Sequence, residues 1–183
     1  LAGIKEIKLV VENKTVIGII VNMGIPNFEA SKIPVYLPKE EANKEYHSID
    51  INIGNEKYNF DLVSMGNPHA VCFVKDLNNI DIKKVGSIVE CYKYFPNKTN
   101  VEFVQVIDRN NIKVRIWERG VGPTVSCGTG ACASVVCSKQ RGYTESEVNV
   151  ELEGGKLHIN YNKKDGIEMT GGAEFTFEGR INL

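Results

Sequence analysis

The chain has 183 residues, enough for one or two domains with a sizeable core. Its hydrophobic content of 42% and charged content of 25% are those of an ordinary globular protein. The 22 basic and 23 acidic side chains are interspersed and sum to −1, which leaves no basic stripe for nucleic acid and no polybasic arm for a membrane surface. No apolar run approaches the ~18–20 residues of a membrane-spanning helix and no signal-peptide pattern is present, so the chain reads as cytoplasmic.

Residues 4–11 and 15–22, rich in Val, Ile and Leu, predict two strands joined by a turn at Glu12-Asn13-Lys14. A strand met without a lead-in suggests that polypeptide preceding it has been removed. Met23-Gly24-Ile25-Pro26 breaks the pattern, and 31–38 contains two further prolines, so a domain boundary is placed near 25–28. Strands follow at about 49–53, 57–65, 69–74, 101–107 and 111–117. Between them, Ile82, Val85, Ile88, Val89 and Tyr92 recur at helical spacing and predict an amphipathic helix over 81–92, with Asp81 near its start. A second helix is predicted over 128–140, with Arg141-Gly142-Tyr143 as its stop. Its Ala131, Cys132, Ala133, Val135, Val136 and Cys137 cover nearly the whole circumference, the pattern of a helix buried on all sides. Residues 147–181 return to strands broken by Gly154-Gly155, Lys164-Asp165-Gly166 and Gly171-Gly172. Many strands around one apolar helix imply an α+β roll, a mostly antiparallel sheet curved around a central buried helix.

The five cysteines, at 72, 91, 127, 132 and 137, are an odd number without disulfide-framework spacing, which fits a reducing compartment. Cys127, Cys132 and Cys137 are spaced so that successive thiols on a helix stand ~140° apart, which prevents them from converging on one ion. No metal site is expected. Cys72, Cys91, Cys132 and Cys137 read as buried small hydrophobes, and His47 and His158 as surface residues. Cys127 is different. It precedes Gly128-Thr129-Gly130 at the mouth of the apolar helix, where partial positive charge and unpaired N–H groups favour a thiolate and the glycines admit a ligand.

Four segments combine small, polar and ionisable residues without an obvious packing need: Gly66-Asn67-Pro68-His69, Asn97-Lys98-Thr99-Asn100, Glu118-Arg119-Gly120 and Cys127-Gly128-Thr129. Each lies at a strand end or helix start. Arg suits a carboxylate, and Glu and Asn oxygens suit an ammonium, so a zwitterionic amino acid would be well matched.

These segments, with Thr99-Asn100-Val101-Glu102-Phe103, Trp117-Glu118-Arg119-Gly120 and the whole run from Leu1-Ala2-Gly3-Ile4 to Glu178-Gly179, resemble diaminopimelate epimerase. The resemblance implies a pyridoxal-independent isomerase, with no cofactor, that interconverts LL- and meso-diaminopimelate on the route to lysine and cell-wall precursors. Two cysteines face each other across the substrate α-carbon; one thiolate removes the α-proton and the opposite thiol returns a proton to the other face. The resemblance carries the second cysteine onto Cys127. It carries substrate binding onto Asn67, Asn100, Glu118, Arg119, Gly128 and Thr129, and tuning of the thiols onto His69 and Glu118. It also implies residues 25–171 as the C-terminal epimerase domain, with 1–24 and 172–183 as remnant strands of the N-terminal one. Two departures stand out. The family's first cysteine lies in a Cys-Gly-Asn-Gly motif that is absent here, and Pro123 replaces the Glu that usually precedes Thr124. One thiol cannot serve both faces of the α-carbon, so the isolated chain is expected to be inactive as an epimerase. The exposed edges of its remnant strands could support a homodimer.

Other readings of the same residues are a proline racemase-like or phenazine-biosynthesis-type isomerase of the same roll, or a non-catalytic amino-acid-binding module in which Gly128-Thr129-Gly130 captures an anion. A cysteine hydrolase is less well served, since the sequence places no His–Asn dyad for it. On the packing-only readings Asn67 and Asn100 are turn residues, Glu118-Arg119 an exposed pair, and Trp117 a packing residue.

Overall fold

A computed structural model describes residues 5–39, 41 and 44–181, whose strands form a single sheet. Strands β1 (Ile7–Glu12) and β2 (Thr15–Gly24) form a hairpin, and β3 (His47–Ile53), β4 (Glu56–Ser64) and β5 (Pro68–Phe73) an antiparallel meander. Helix α1 (Ile82–Glu90) leads to β6 (Asn100–Asp108), which runs parallel to β5. Strand β7 (Asn111–Glu118) returns antiparallel to β6, and the short β8 (Gly122–Thr124) folds back onto β7. Helix α2 (Gly128–Gln140) leads to β9 (Glu147–Leu152), which is parallel to β7. Strands β10 (Gly155–Asn162) and β11 (Gly166–Gly172) complete the sheet in the order β1-β2-β11-β10-β9-β7-β6-β5-β4-β3. The two parallel pairings fall where a helix intervenes, because parallel strands need a long crossover. The architecture is α+β.

Side-chain alternation divides the core between two faces. Phe60 and Leu62 of β4, Ala70 and Cys72 of β5, and Val101 and Phe103 of β6 pack with Val85 and Val89 of α1. Their neighbours in sequence, Val63, Val71 and Val104, pack instead with Ala131, Val135 and Val136 of α2. Both faces of these central strands are therefore buried, which is why β4 reads as apolar without clean alternation. Helix α1 follows its amphipathic pattern: Asp81 caps it by accepting from the Lys84 amide, and Ile82, Val85 and Val89 are buried while Ile88 is exposed. Helix α2 has no polar face. Every residue from Gly130 to Ser138 is buried, and strands β4 to β7 and β9 to β11 touch it. Its two serines cope with burial by donating to the helix itself, Ser134 to the Gly130 carbonyl at 2.8 Å and Ser138 to the Ser134 carbonyl at 2.7 Å.

Three expectations need correction. Residues 173–181 form no strand: the β11–β2 ladder ends at Gly172 opposite Gly18, although Ala173 N still reaches the Ile17 carbonyl at 3.4 Å. Residues 182–183, like 1–4, lie outside the described residues. Cys91 is exposed at the C-cap of α1 rather than buried. His47 is buried, its Nδ1 3.0 Å from the Glu41 carbonyl, because β3 alternation turns it inward with Ile49 and Ile51. The β1–β2 hairpin leaves Ile7, Leu9, Val11 and Ile17 exposed.

Candidate functional site

Sheet parity and one helix terminus build the site. His69 of β5, Glu102 of β6 and Glu118 of β7 share sheet-face parity with Val71, Val104 and Ile116, which pack on α2. In register, His69 pairs with Asn100 and Glu102 with Ile116, so these residues stand at one end of three adjacent strands. The N-terminus of α2 comes to that end, with Cys127 as its N-cap residue in an extended conformation. Gly66, with φ of 91°, makes the turn that delivers Asn67, and Gly120, with φ of 76°, makes the turn after Glu118 and Arg119.

A continuous hydrogen-bonded chain links the buried interior to the thiol. Glu102 Oε1 lies 2.7 Å from His69 Nδ1, and both side chains are fully buried. His69 Nε2 lies 3.0 Å from Asn67 Oδ1. Asn67 Nδ2 donates to Thr129 Oγ1 at 3.4 Å, and Thr129 Oγ1 lies 3.5 Å from Cys127 Sγ. Glycine at 130 leaves room for Glu102, and at 128 the fit against the Met169 side chain is tight. A Cβ on Gly130 would lie 2.8 Å from Glu102 Oε1, and one on Gly128 would lie 3.0 Å from Met169 Sδ.

Two further supports fix the neighbouring loops. Asn100, 4% exposed, donates from Nδ2 to the Pro68 carbonyl at 2.8 Å and accepts from the Arg119 amide at 2.9 Å. It ties the 66–69 turn to the 118–120 turn. Glu118 Oε1 accepts from the Thr124 hydroxyl at 2.6 Å, which fastens β8 across the strand end. Pro123 is accommodated because β8 pairs on one side only, with β7, and a proline is tolerated on such an edge. The Arg119 guanidinium is exposed and donates to the Asn97 carbonyl at 3.3 Å rather than pairing with Glu118.

The electrostatics differ from the helix-terminus expectation. Burial pushes the Cys127 thiol up from its ordinary value; the Thr129 hydroxyl and the Gly130 amide pull it back, while the nearby Glu102 and Glu118 carboxylates add to the rise. Burial wins at this helix end. Burial also raises Glu102, and His69 opposes it. The remaining buried thiols are further from use: Cys72 and Cys132 are pushed up to about 12, chiefly by burial.

The structure thus links Asn67, His69 and Thr129 to Cys127, with Gly128 next to it and Glu118 near it, while Asn100 ties the two adjoining turns together and Arg119 contributes its backbone and holds its charge at the rim. Two buried carboxylates beside these residues are not singled out by the sequence reading. For Glu102 the available signal is an acidic residue at an inward position of an apolar strand. Glu90, 6% exposed at the end of α1, accepts from the Trp117 indole N–H at 2.7 Å and the Gly120 amide at 2.8 Å, and so holds the 118–120 turn from behind. Among the described residues, no group of three or more His, Cys, Asp or Glu side chains could hold a metal ion, and no helix is long and apolar enough to cross a membrane.

The fold is shared with a solved structure. A crystal structure of a probable proline racemase from Agrobacterium radiobacter superposes with a TM-score of 0.64 at 14% identity, covering 100% of this chain and 58% of that one. The sequence pattern of the diaminopimelate epimerase family matches residues 62–176. The diaminopimelate epimerase of Methanococcus maripaludis is 44% identical over the whole of this chain, and that of Halothermothrix orenii 44% identical over 99% of it. The chain spans 65% and 63% of the lengths of these two relatives. It belongs to the diaminopimelate epimerase family.

Proposed function

We propose that this chain carries one half of a cofactor-independent epimerisation site for diaminopimelate, with Cys127 as the acid–base group on one face of the substrate α-carbon. The observation that supports this most is the Cys127 sulfur at the mouth of α2, linked through Thr129 and Asn67 to a buried His69–Glu102 pair. An α-proton is a very weak acid, so a thiolate made more basic by burial is the stronger base toward it. The carbanion so formed needs preorganised donors, and the first turn of α2, which receives no side-chain capping hydrogen bond, offers backbone amides that suit a substrate carboxylate. Asn67, Asn100, Glu118, Arg119 and Thr129 surround that place and would orient the amino acid.

Deprotonation breaks the Cα–H bond and forms Cys127 S–H; inversion then requires a second thiol to give a proton from the opposite face. That thiol belongs, on this reading, to the part of the family's length that this chain does not span. Residues 25–171 would then be the C-terminal epimerase domain. The apolar exposed flank of β1–β2 supports the same assignment, since Ile7, Leu9 and Val11 are 56%, 61% and 54% exposed. The protein would act in the cytoplasm on a free amino acid.

The test is α-proton exchange of LL- and meso-diaminopimelate in D2O, followed by NMR, with proline as the rival substrate. The expected result is slow exchange at diaminopimelate with configuration retained, lost in Cys127→Ser. Exchange unaffected by Cys127→Ser would remove the thiol from the reaction. Net epimerisation at a full-length enzyme's rate would remove the need for a second thiol.

A further inference from the structure

His69 stands between two oxygens, Glu102 Oε1 at 2.7 Å and Asn67 Oδ1 at 3.0 Å. An amide oxygen can only accept, so Nε2 carries a hydrogen, and the short contact at Nδ1 requires a second hydrogen between nitrogen and carboxyl. With two protons the pair is neutral overall, whichever partner holds the shared one. Asn67, its oxygen engaged, turns Nδ2 to Thr129 Oγ1, which leaves the threonine hydroxyl hydrogen free for Cys127 Sγ. Every donor in the chain then points toward the sulfur, the arrangement that suits a thiolate.

The opposite direction is equally complete. With the Asn67 amide turned over, S–H donates to Thr129, Thr129 to Asn67 Oδ1, Asn67 Nδ2 to His69 Nε2, and Nδ1–H to an ionised Glu102. That arrangement suits a thiol. The two states hold the same number of protons and the same net charge of minus one: the S–H bond lost in one is matched by an N–H or O–H bond gained on the His69–Glu102 pair in the other. Glu102 Oε2 is buried with no hydrogen-bond partner, so full ionisation of Glu102 is poorly supported and uptake of a proton there is favoured. A thiolate beside a charged Glu102 would also put two anions together in a buried site.

We propose that Glu102 is a positioning residue for Cys127: through His69 it sets the direction of the Asn67–Thr129 chain and stores the proton that the thiol gives up. This rests on the reading of Cys127 as an acid–base group. The other titratable groups facing the sulfur are Glu118 from β7 and Cys132 from α2, and those facing Glu102 include Glu118 and Cys137. None of these is hydrogen-bonded into the chain.

The rate of Cys127 alkylation by iodoacetamide, read on its own peptide by mass spectrometry across roughly pH 6 to 8.5, tests the idea without substrate. Because the two states exchange no proton with solvent overall, the wild-type rate should be nearly flat over that range. Glu102→Gln cannot store the proton, so its rate should climb about ten-fold per pH unit, the slope of a single ionisation. Thr129→Val, which leaves the buried pair able to store the proton but removes the hydroxyl that donates to the thiolate, should stay flat and react more slowly at every pH. Circular dichroism checks that each variant is folded, and Thr129→Val decides alone if Glu102→Gln is not, a rate equal to wild type overturning the role of the chain. A wild-type rate that climbs ten-fold per unit, or a Glu102→Gln rate as flat as wild type, would also overturn the proposal. A flat wild-type profile combined with absent α-proton exchange would sink the assigned reaction and leave this coupling standing.

Discussion

Gly86 on α1 governs a contact that reaches the site through Trp117, and adding a single methyl group there measures it. A Cβ at Gly86 would lie 2.7 Å from Trp117 Cγ, 2.8 Å from its Cβ and 2.9 Å from its Cδ2. These atoms are at the root of the side chain, so relief requires movement of the β7 backbone or of α1. Alanine in a helix interior is favoured over glycine by about 1 kcal/mol, whereas forcing a methyl group into a packed contact costs about 1–3 kcal/mol. Tilting the indole also strains its 2.7 Å hydrogen bond to Glu90 Oε2, and a hydrogen bond to a charged group is worth about 1.5–3 kcal/mol. The net expectation for Gly86→Ala is a loss of about 1–2 kcal/mol, a Tm lower by about 3–6 °C for a chain of this size. Urea unfolding followed by fluorescence is the assay, because Trp117 is the single tryptophan and reports on its own environment. Ser87→Ala, one residue on and exposed, should by contrast be within about 0.5 kcal/mol of wild type. A Gly86→Ala protein as stable as wild type, with an unchanged emission spectrum, would show that the indole is free to move and that it does not brace the 118–120 turn.

Phe103 is fully buried between β6 and α1 and packs edge-on against Phe60, so Phe103→Ala should cost about 3–5 kcal/mol in urea unfolding. Burial works to raise Glu90, but the Trp117 indole, the Gly120 amide and Lys98 together hold it below the usual carboxylate range. A depressed carboxylate stabilises the fold above its unfolded value of about 4.3 and loses that contribution as pH falls through the folded value. Glu90→Gln should therefore be less stable than wild type at pH 7, with the gap closing in acid; a gap that widens toward low pH would reverse the sign argued here.

The sequence carried the elements better than it carried their partners. Strand β7 and helix α1 are legible because burial on a pleated or helical surface imposes periods that one chain displays by itself, as Ile82, Val85 and Val89 do, whereas β4, β5, β6 and α2 are legible as apolar runs bounded by turn residues. Pairing is not local, and the C-terminal segment shows it: the β11–β2 ladder ends at Gly172 opposite Gly18 although β2 continues back to Thr15, and nothing in Phe175 or Phe177 announces that they stay outside it. Cys127 was legible through its glycines, yet the direction of its shift was not. A helix terminus acts through the last turn and offers a few tenths to ~2 kcal/mol, whereas burial beside two carboxylates depends on β6 and β7 arriving from elsewhere in the chain. Glu102 makes the same argument from the other side. Its position in Asn-Val-Glu-Phe-Val fixes only which face of β6 it occupies. That face becomes one wall of the candidate site because His69 stands one strand away and because Gly130 leaves room for the carboxylate under the first turn of α2. The setting of this carboxylate is thus a property of three elements in register: β5 brings the imidazole, β6 the carboxylate and α2 the glycine that makes room.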